Sequence, residues 1–281
     1  MNIYVSNYLS NSISVIDYNT FEVQKEIVID NINPHNFLIY KMILYVLGSN
    51  DGVLYKINLE TENIIDSVSL GGSIKNIKIY NDEIFITNED TNTIHILDLD
   101  LNLHLNLEVF DMPHGIFINN NKLYIACMNY IVIFDINSKE IVMNKKFDFN
   151  PWHITIDKLS NDVYVTTLDG KVVILDVNLE TKLIINNFSL PVEICLSYKN
   201  NSIYCTDFQR ESLIILDYND KKLKNEIKLF GYPQGLLISN DENYIMVTDT
   251  KNDVLNIYDA KNYDLIKVIY VKKEPTTIFM E

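Results

Sequence analysis

The sequence predicts an all-β chain of seven four-stranded antiparallel sheets, and three recurring marks support this prediction. An apolar run of five residues recurs seven times, with 39 to 42 residues between successive starts. Each copy is followed by an alternating run that ends in Asp or Asn, and then by a segment that begins with Pro in six repeats. A period near 40 residues filled by short strands and tight turns is typical of β-propeller blades.

The first mark predicts the second strand of each blade. It is dense in Ile, Val and Tyr, residues that fit a pleated surface, and no repeat shows a sustained helical stripe. The seven copies are IYVSN at Ile3, LYVLG at Leu44, IFITN at Ile84, LYIAC at Leu123, VYVTT at Val163, IYCTD at Ile203 and IMVTD at Ile245.

The second mark predicts the end of the third strand. An Asp or Asn side chain accepts hydrogen bonds from the backbone two residues further on, so a regular row of such residues indicates turns and not seven catalytic acids. The row consists of Asp17, Asn58, Asp98, Asp135, Asp176, Asp217 and Asp259.

The third mark predicts the start of the first, innermost strand, where the missing N–H of proline costs nothing. These starts are Pro34, Ile74, Pro113, Pro151, Pro191, Pro233 and Pro275. A less regular fourth strand precedes each of them. No linker or change of composition interrupts the chain, so we predict one domain over residues 1–281.

The two ends of the chain predict how the fold closes. The chain begins on a second strand, Asn2 to Asn7, and ends on a first strand, Pro275 to Glu281. We therefore expect the C-terminal strand to join the N-terminal blade, which removes two open sheet edges.

These repeats resemble those of the YVTN family of β-propellers over essentially the whole chain. The IYVSN, IFITN and VYVTT runs, the following VID or ILD and the PHG or PQG segments carry the resemblance, from which Ile74 and Met246 depart. The resemblance implies a seven-bladed β-propeller. It leaves the function open, since similar propellers serve as surface-layer or adhesive modules, interaction platforms, and scaffolds for metal or redox sites.

Composition excludes several classes of function. The net charge of −15 and the single arginine, Arg210, leave no basic face for nucleic acid. No apolar run has membrane-spanning length and no leader pattern is seen, so we expect a soluble, cytoplasmic, monomeric protein. Three cysteines are too few and too odd in number for a disulfide framework, so we expect reduced thiols. Of these, Cys195 and Cys205 are predicted to lie directly opposite each other on adjacent strands.

Histidines are concentrated where a propeller would carry its site. The starts of the inner strands and the loops after the second strands are expected on one end of the blades, around the central funnel, and we call this end the loop face. His35, His114 and His153 fall at these starts. With Glu193 as a further ligand or general base, they are candidate ligands for a divalent transition metal. The alternative is that their imidazoles bond to loop carbonyls.

The remaining candidates on the loop face are ligand-binding residues, namely Trp152, Gln234, Lys75, Asp207 and Asp249, with turn capping as the alternative for Asp207 and Asp249. Aromatic residues gather there too: Tyr8, Phe110, Phe149, Phe208, Phe230 and Tyr232. The first hypothesis is a non-enzymatic scaffold that binds a protein or small molecule at this face. The second is a metal-assisted enzyme, such as a lyase, isomerase or lactone hydrolase.

Overall fold

Strands make up almost all of the regular structure of this protein. The computed structural model describes all 281 residues and contains 28 strands and one 3-10 helix, Tyr8–Ser10. The strands form seven four-stranded antiparallel sheets, which we call blades. The predicted all-β, seven-bladed β-propeller fold is confirmed. The structure has no helix with the length and apolar character that crossing a bilayer requires.

The inner strands begin at the predicted residue in six blades. They are β4 (Pro34–Tyr40), β8 (Ile74–Tyr80), β12 (Ile116–Asn119), β16 (Pro151–Ile156), β20 (Pro191–Ser197), β24 (Pro233–Ile238) and β28 (Pro275–Met280). The start predicted at Pro113 is wrong by three residues. There the N–H of Gly115 donates to the carbonyl oxygen of Trp152 in the next blade at 3.0 Å. His114 N and Gly115 O still bond to Ala126 of their own blade, but the regular strand begins only at Ile116.

The second strands are the most deeply buried. They are β1 (Asn2–Asn7), β5 (Ile43–Gly48), β9 (Glu83–Asn88), β13 (Lys122–Cys127), β17 (Val163–Thr167), β21 (Ser202–Asp207) and β25 (Tyr244–Asp249). The aromatic position of the repeat is buried in every copy, and Met246, which replaces the aromatic residue, is buried as well. Burial of such large side chains is a main source of fold stability.

The third strands end in the predicted turns. They are β2 (Ser12–Asp17), β6 (Val53–Asn58), β10 (Thr93–Asp98), β14 (Tyr130–Asp135), β18 (Val172–Leu175), β22 (Ser212–Asp217) and β26 (Val254–Asp259). In the first turn, Asp17 Oδ1 accepts the N–H groups of Asn19 and Thr20 at 2.8 and 2.9 Å. The other six Asp or Asn residues accept two backbone N–H groups in the same way, which confirms their structural role.

The outer strands are largely exposed. They are β3 (Glu22–Val28), β7 (Ile64–Ser69), β11 (Leu103–Glu108), β15 (Glu140–Lys146), β19 (Thr181–Ile185), β23 (Leu223–Lys228) and β27 (Leu265–Tyr270). Each pairs on one side only, with the third strand of its blade.

The predicted closure of the chain is confirmed. Strand β28 pairs antiparallel with β1, so that Ile3 faces Met280 and Val5 faces Ile278, with an irregularity between Val5 and Asn7. The resulting blade has the order β28-β1-β2-β3. Val5 and Ile278 are buried in one apolar cluster with Leu255 of β26.

The chain comprises two compact units. The split unit consists of Met1–His35 with Ile185–Glu281, and the continuous unit of Asn36–Ile184. Within each unit consecutive blades pack face to face, as where Ile133 of β14 and Val165 of β17 share one apolar cluster in the continuous unit. The prediction of one domain over residues 1–281 stays a prediction.

The predicted register of the two cysteines is wrong by one residue. Cys195 pairs with Tyr204, and Cys205 pairs with Ile194, because the hairpin between them turns one half-residue earlier than expected. Both thiols are reduced, as is Cys127. Burial raises the pKa of the Cys127 thiol to about 12 and raises those of Cys195 and Cys205 further. Such thiols are protonated and unreactive at neutral pH.

Candidate functional site on the loop face

The loop face is built by the register of the first two strands. In each blade the end of the second strand lies beside the start of the inner strand, as where Asp207 pairs with Pro191 and Asn88 with Ile74. The loops that leave the second strands and those that lead into the inner strands therefore meet at one end of the blade. All the predicted site residues lie at this end.

A hydroxyl group links neighbouring blades just below this face in the continuous unit. Thr87, in the fourth position of its repeat, accepts the N–H of Asn76 in its own blade at 2.9 Å. It donates to the carbonyl oxygen of His114 in the next blade at 3.1 Å. Thr87 is fully buried, and its hydroxyl satisfies backbone groups of two neighbouring blades.

The split unit repeats this link three times. Thr206 accepts from Glu193 N and donates to Gln234 O, while Thr248 accepts from Gly235 N and donates to Thr276 O. At the closing blade, Ser6 accepts from Thr277 N and donates to the carbonyl oxygen of His35. The hydroxyl of the repeat is thus a blade-to-blade connector, and it fixes the backbone on which the candidate site residues sit.

The fourth blade is linked to its neighbour without a hydroxyl. Ala126 replaces the Thr or Ser, and Gly115 donates its own N–H to Trp152 O at 3.0 Å. A Cβ on Gly115 would lie 2.4 Å from that oxygen, so only glycine permits the approach. The N–H of Gly115 therefore compensates for the hydroxyl that Ala126 lacks, and its bond fixes the backbone of Trp152 against this blade.

The side chain of His114 is held by an acidic partner. Its Nδ1 lies 2.7 Å from Glu89 Oε1, and Glu89 Oε2 lies 3.7 Å from Lys75 Nζ. Burial lowers the pKa of His114, and the carboxylate of Glu89 only partly offsets that effect. The imidazole is therefore neutral at pH 7 with its proton on Nδ1, and Nε2 is left as a hydrogen-bond acceptor or ligand.

Trp152 and His153 lie beside His114. The indole of Trp152 stacks on the imidazole of His114 with ring centroids 3.4 Å apart and planes 18° apart. His153 Nδ1 is buried and forms no hydrogen bond. Burial, with smaller effects of Lys78 and His114, lowers the pKa of His153 to about 3. The structure thus brings together four of the predicted residues, namely Lys75, His114, Trp152 and His153.

Next to Trp152 lies a shallow depression that is lined mainly by apolar side chains. Its lining consists of Met112, Met128, Asn150, Pro151, Trp152 and Leu168. Met112 and Leu168 are 39% and 38% exposed, so the depression presents apolar surface to solvent. Sequence reasoning missed Met112, Met128 and Leu168 because they occupy loops of unequal length outside the repeat.

In the split unit, several of the predicted site residues accept hydrogen bonds from backbone N–H groups. Glu193 Oε2 accepts the N–H of Leu236 in the next inner strand at 3.1 Å. Gln234 lies one residue before the Gly235–Leu236 segment, and its side chain is half-buried. The ring of His35 meets Tyr8 edge to face at 6.2 Å.

Asp207 and Asp249 are both buried, and their carboxylates hold loops. Asp207 accepts the N–H groups of Ser189 and Leu190 at 2.7 and 2.9 Å. Asp249 accepts those of Tyr232, Lys251 and Asn252. A ligand role for these two carboxylates stays a prediction.

No three His, Cys, Asp or Glu side chains are grouped so as to hold a metal ion. The metal and catalytic assignments of His35, His114, His153 and Glu193 stay predictions. Sequence reasoning missed Glu89, the partner of His114, although an acidic residue directly after a second strand was a usable signal.

Comparison with known proteins gives the fold and no closer relation. No family model and no characterised protein matches the sequence. Among solved structures, a functionally unknown protein from Desulfotomaculum acetoxidans is similar with a TM-score of 0.82 at 13% identity, covering 99% of this chain and 98% of that one. Apo AztD from Citrobacter koseri is similar with a TM-score of 0.74 at 11% identity, covering 99% and 96%. Dihydro-heme d1 dehydrogenase NirN, in complex with DHE, has a TM-score of 0.74 at 12% identity, covering 99% of this chain and 74% of its own. The three neighbours differ in what they are, so the shared fold does not select a function.

Proposed function

We propose that this protein is a non-enzymatic binding propeller that presents its loop face to a protein or small-molecule ligand. The observation that carries the proposal is the cluster of exposed and half-exposed apolar side chains around Trp152. Contiguous apolar surface with an aromatic centre is the usual anchor of a binding site.

The split unit adds a second group of aromatic side chains on its own loop face. Phe230 is 77% exposed, and Tyr232 stacks on Phe208 with ring centroids 4.8 Å apart. Lys251 Nζ lies 5.1 Å from the centre of the Tyr232 ring. These loops are held by Asp249, so the aromatic groups are presented on a fixed backbone, which lowers the entropic cost of binding.

The polar groups of the face support binding over catalysis. The carboxylates of Glu193, Asp207 and Asp249 each accept backbone N–H groups, and the hydroxyls of the repeat bridge blades. A general acid or base must exchange protons with a substrate, and groups committed to backbone bonds are poorly placed for that.

One observation favours the second candidate, a metal-assisted enzyme. The carboxylate of Glu89 orients His114 so that Nε2 is a good ligand, an arrangement that also supports metal-bound histidines. His114 and His153 would then hold a divalent transition metal, which would supply a Lewis acid or an activated water.

A binding screen with matched variants tests the main proposal. Purified protein is screened by ligand-observed NMR against mixed peptides and metabolites. We expect hits that Trp152→Ala or Phe230→Ala weakens and that Leu159→Ala, an exposed residue at the opposite end of a blade, leaves unchanged. Hits that respond equally to Leu159→Ala would contradict the proposal.

Metal analysis separates the two candidates. Protein purified without a histidine tag is measured for bound metal before and after chelation, and then titrated with zinc. Stoichiometric metal that His114→Ala removes, together with turnover of a substrate, would replace the binding proposal by the enzymatic one.

A further inference from the structure

The depression beside Trp152 is a rigid feature of the continuous unit. Met128 N donates to Asp111 O at 2.7 Å, and Met112 N donates to Asn92 Oδ1 at 2.9 Å. The second bond holds Met112 at φ 51°, a left-handed conformation that favours glycine. The first wall of the depression is therefore fixed by bonds between three loops.

The opposite wall is fixed in the same manner. Leu168 N donates to Asn150 O at 3.0 Å, and the side chain of Asn150 donates to Asp169 Oδ1 at 3.1 Å. Asp169 Oδ2 in turn accepts Asn150 N. A site whose walls are preformed loses little entropy on binding, and its methionines adapt to side chains of different shape.

The charge of the surrounding loops distinguishes this face from that of the split unit. The loop-face segments of the continuous unit (49–52, 70–73, 89–92, 109–115, 128–129, 147–150 and 168–171) hold six carboxylates and one lysine, a net charge of −5. Those of the split unit (8–11, 29–33, 186–190, 208–211, 229–232, 250–253 and 271–274) hold four acids and four bases, a net charge of 0. Among the connecting loops alone, those of the continuous unit are therefore the more acidic. Lys75, Glu193, Asp207 and Asp249 lie in strands and are outside these counts.

The exposed carboxylates lie on the same loops as the apolar lining. Asp111 precedes Met112, Asp169 follows Leu168, and Asp148 lies two residues before Asn150. An apolar depression rimmed by negative charge is complementary to an apolar side chain that is flanked by cations.

We propose that this depression docks a basic, apolar peptide segment of a partner protein. An apolar side chain of the segment packs against Trp152, Met112 and Leu168. Its neighbouring arginines or lysines face the carboxylates of the surrounding loops. This inference rests on the proposed binding function and names the partner class for one part of the loop face.

The test uses short synthetic peptides and the full chain. The probe is a fluorescent, acetylated peptide with a Leu-Leu pair flanked by two arginines on each side. The comparison peptides replace the arginines by Glu or the Leu-Leu pair by Gly-Gly. Binding is followed by fluorescence anisotropy, and by the emission of Trp152, the only tryptophan in the chain.

We expect the basic apolar probe to bind at least about tenfold more tightly than either comparison peptide, and more weakly as salt is added. The double variant M112A/L168A and the variant Asp148→Lys should each weaken binding several-fold. The matched control L159A/V177A, which alters exposed apolar residues in turns at the opposite end of the blades, and the control Asp30→Lys, which alters an exposed residue of the split unit, should leave it unchanged.

Three results would overturn the inference. One is equal binding of the Leu-Leu and Gly-Gly peptides, which would mean charge attraction alone. Another is loss of binding in L159A/V177A and not in M112A/L168A. The third is no binding of the basic apolar probe. If other ligands in the NMR screen still respond to Trp152→Ala or Phe230→Ala, the proposed function survives and only the partner class fails.

Discussion

The hydroxyl of Thr87 donates to the backbone carbonyl oxygen of His114 in the neighbouring blade at 3.1 Å while it accepts the N–H of Asn76. The hydroxyl at the fourth position of the repeat therefore links neighbouring blades. The same bond fixes the backbone of His114, whose imidazole bonds to Glu89 and stacks on Trp152.

Replacing this hydroxyl should cost stability. Thr87→Val keeps the shape of the side chain and removes its hydrogen bonds to Asn76 N and His114 O. Each such bond contributes about 0.5–1.5 kcal/mol, so we expect a loss of about 1–3 kcal/mol in the free energy of unfolding. Urea denaturation measures this loss. Thr181→Val, on an exposed outer strand, is the matched control, and an equal loss in both variants would contradict the connector role.

The close approach of Gly115 to Trp152 predicts a second effect. Gly115→Ala forces its Cβ against Trp152 O, so we expect a loss of about 1–3 kcal/mol and a shift of tryptophan emission as the stack on His114 is disturbed. Gly71→Ala is the control, because no atom lies within 4 Å of its Cβ and only its φ of 69° is unfavourable. Unchanged emission in Gly115→Ala would refute the proposed role of glycine.

The closing strand should be indispensable. Deleting residues 275–281 removes the partner of β1 and the Thr276 and Thr277 bonds to His35 O. We expect the truncated chain to unfold or to oligomerise through the exposed edge of β1, as measured by thermal unfolding and light scattering. A monomer with cooperative unfolding at the original temperature would show that closure is dispensable.

Acid should destabilise the protein in two stages. The pKa values of His95, His114 and His153 are lowered in the folded state, so the unfolded chain binds more protons below about pH 6.5. As the pH falls below this value, each histidine lowers the free energy of unfolding by up to about 1.4 kcal/mol per pH unit. The pKa values of the turn aspartates are also lowered. Their protonation therefore reduces the free energy of unfolding further, but only below about pH 4.

His153→Phe isolates one part of this dependence. It removes the titration of His153, and we expect a shallower slope of unfolding free energy between pH 6 and about pH 4.5. The exposed His104 serves as the control through His104→Phe. An unchanged slope in His153→Phe would contradict the burial of that imidazole.

The sequence predicted the fold because the repeat is carried by local chemistry. Proline at a strand start, aspartate at a turn and alternating apolar residues each act within a few positions, so their spacing alone defined the blades and the closure of β1 by β28. It also placed His114 and Trp152 at the start of neighbouring inner strands.

The rest of the site depends on contacts that no spacing encodes. Glu89 reaches His114 across 25 residues, and the depression beside Trp152 combines four loops. The replacement of a hydroxyl by the N–H of Gly115 in the fourth blade likewise depends on the path of the backbone. The cysteine register failed because a hairpin can turn half a residue earlier without any change in its sequence pattern.

Hydrogen exchange measured by mass spectrometry, with and without the basic apolar probe at saturation, locates the peptide on the protein. We expect slower exchange in residues 109–115, 147–150 and 168–171 and no change in the turns at 135–139 and 157–162. Protection of those opposite turns, or no protection on the loop face, would contradict this location.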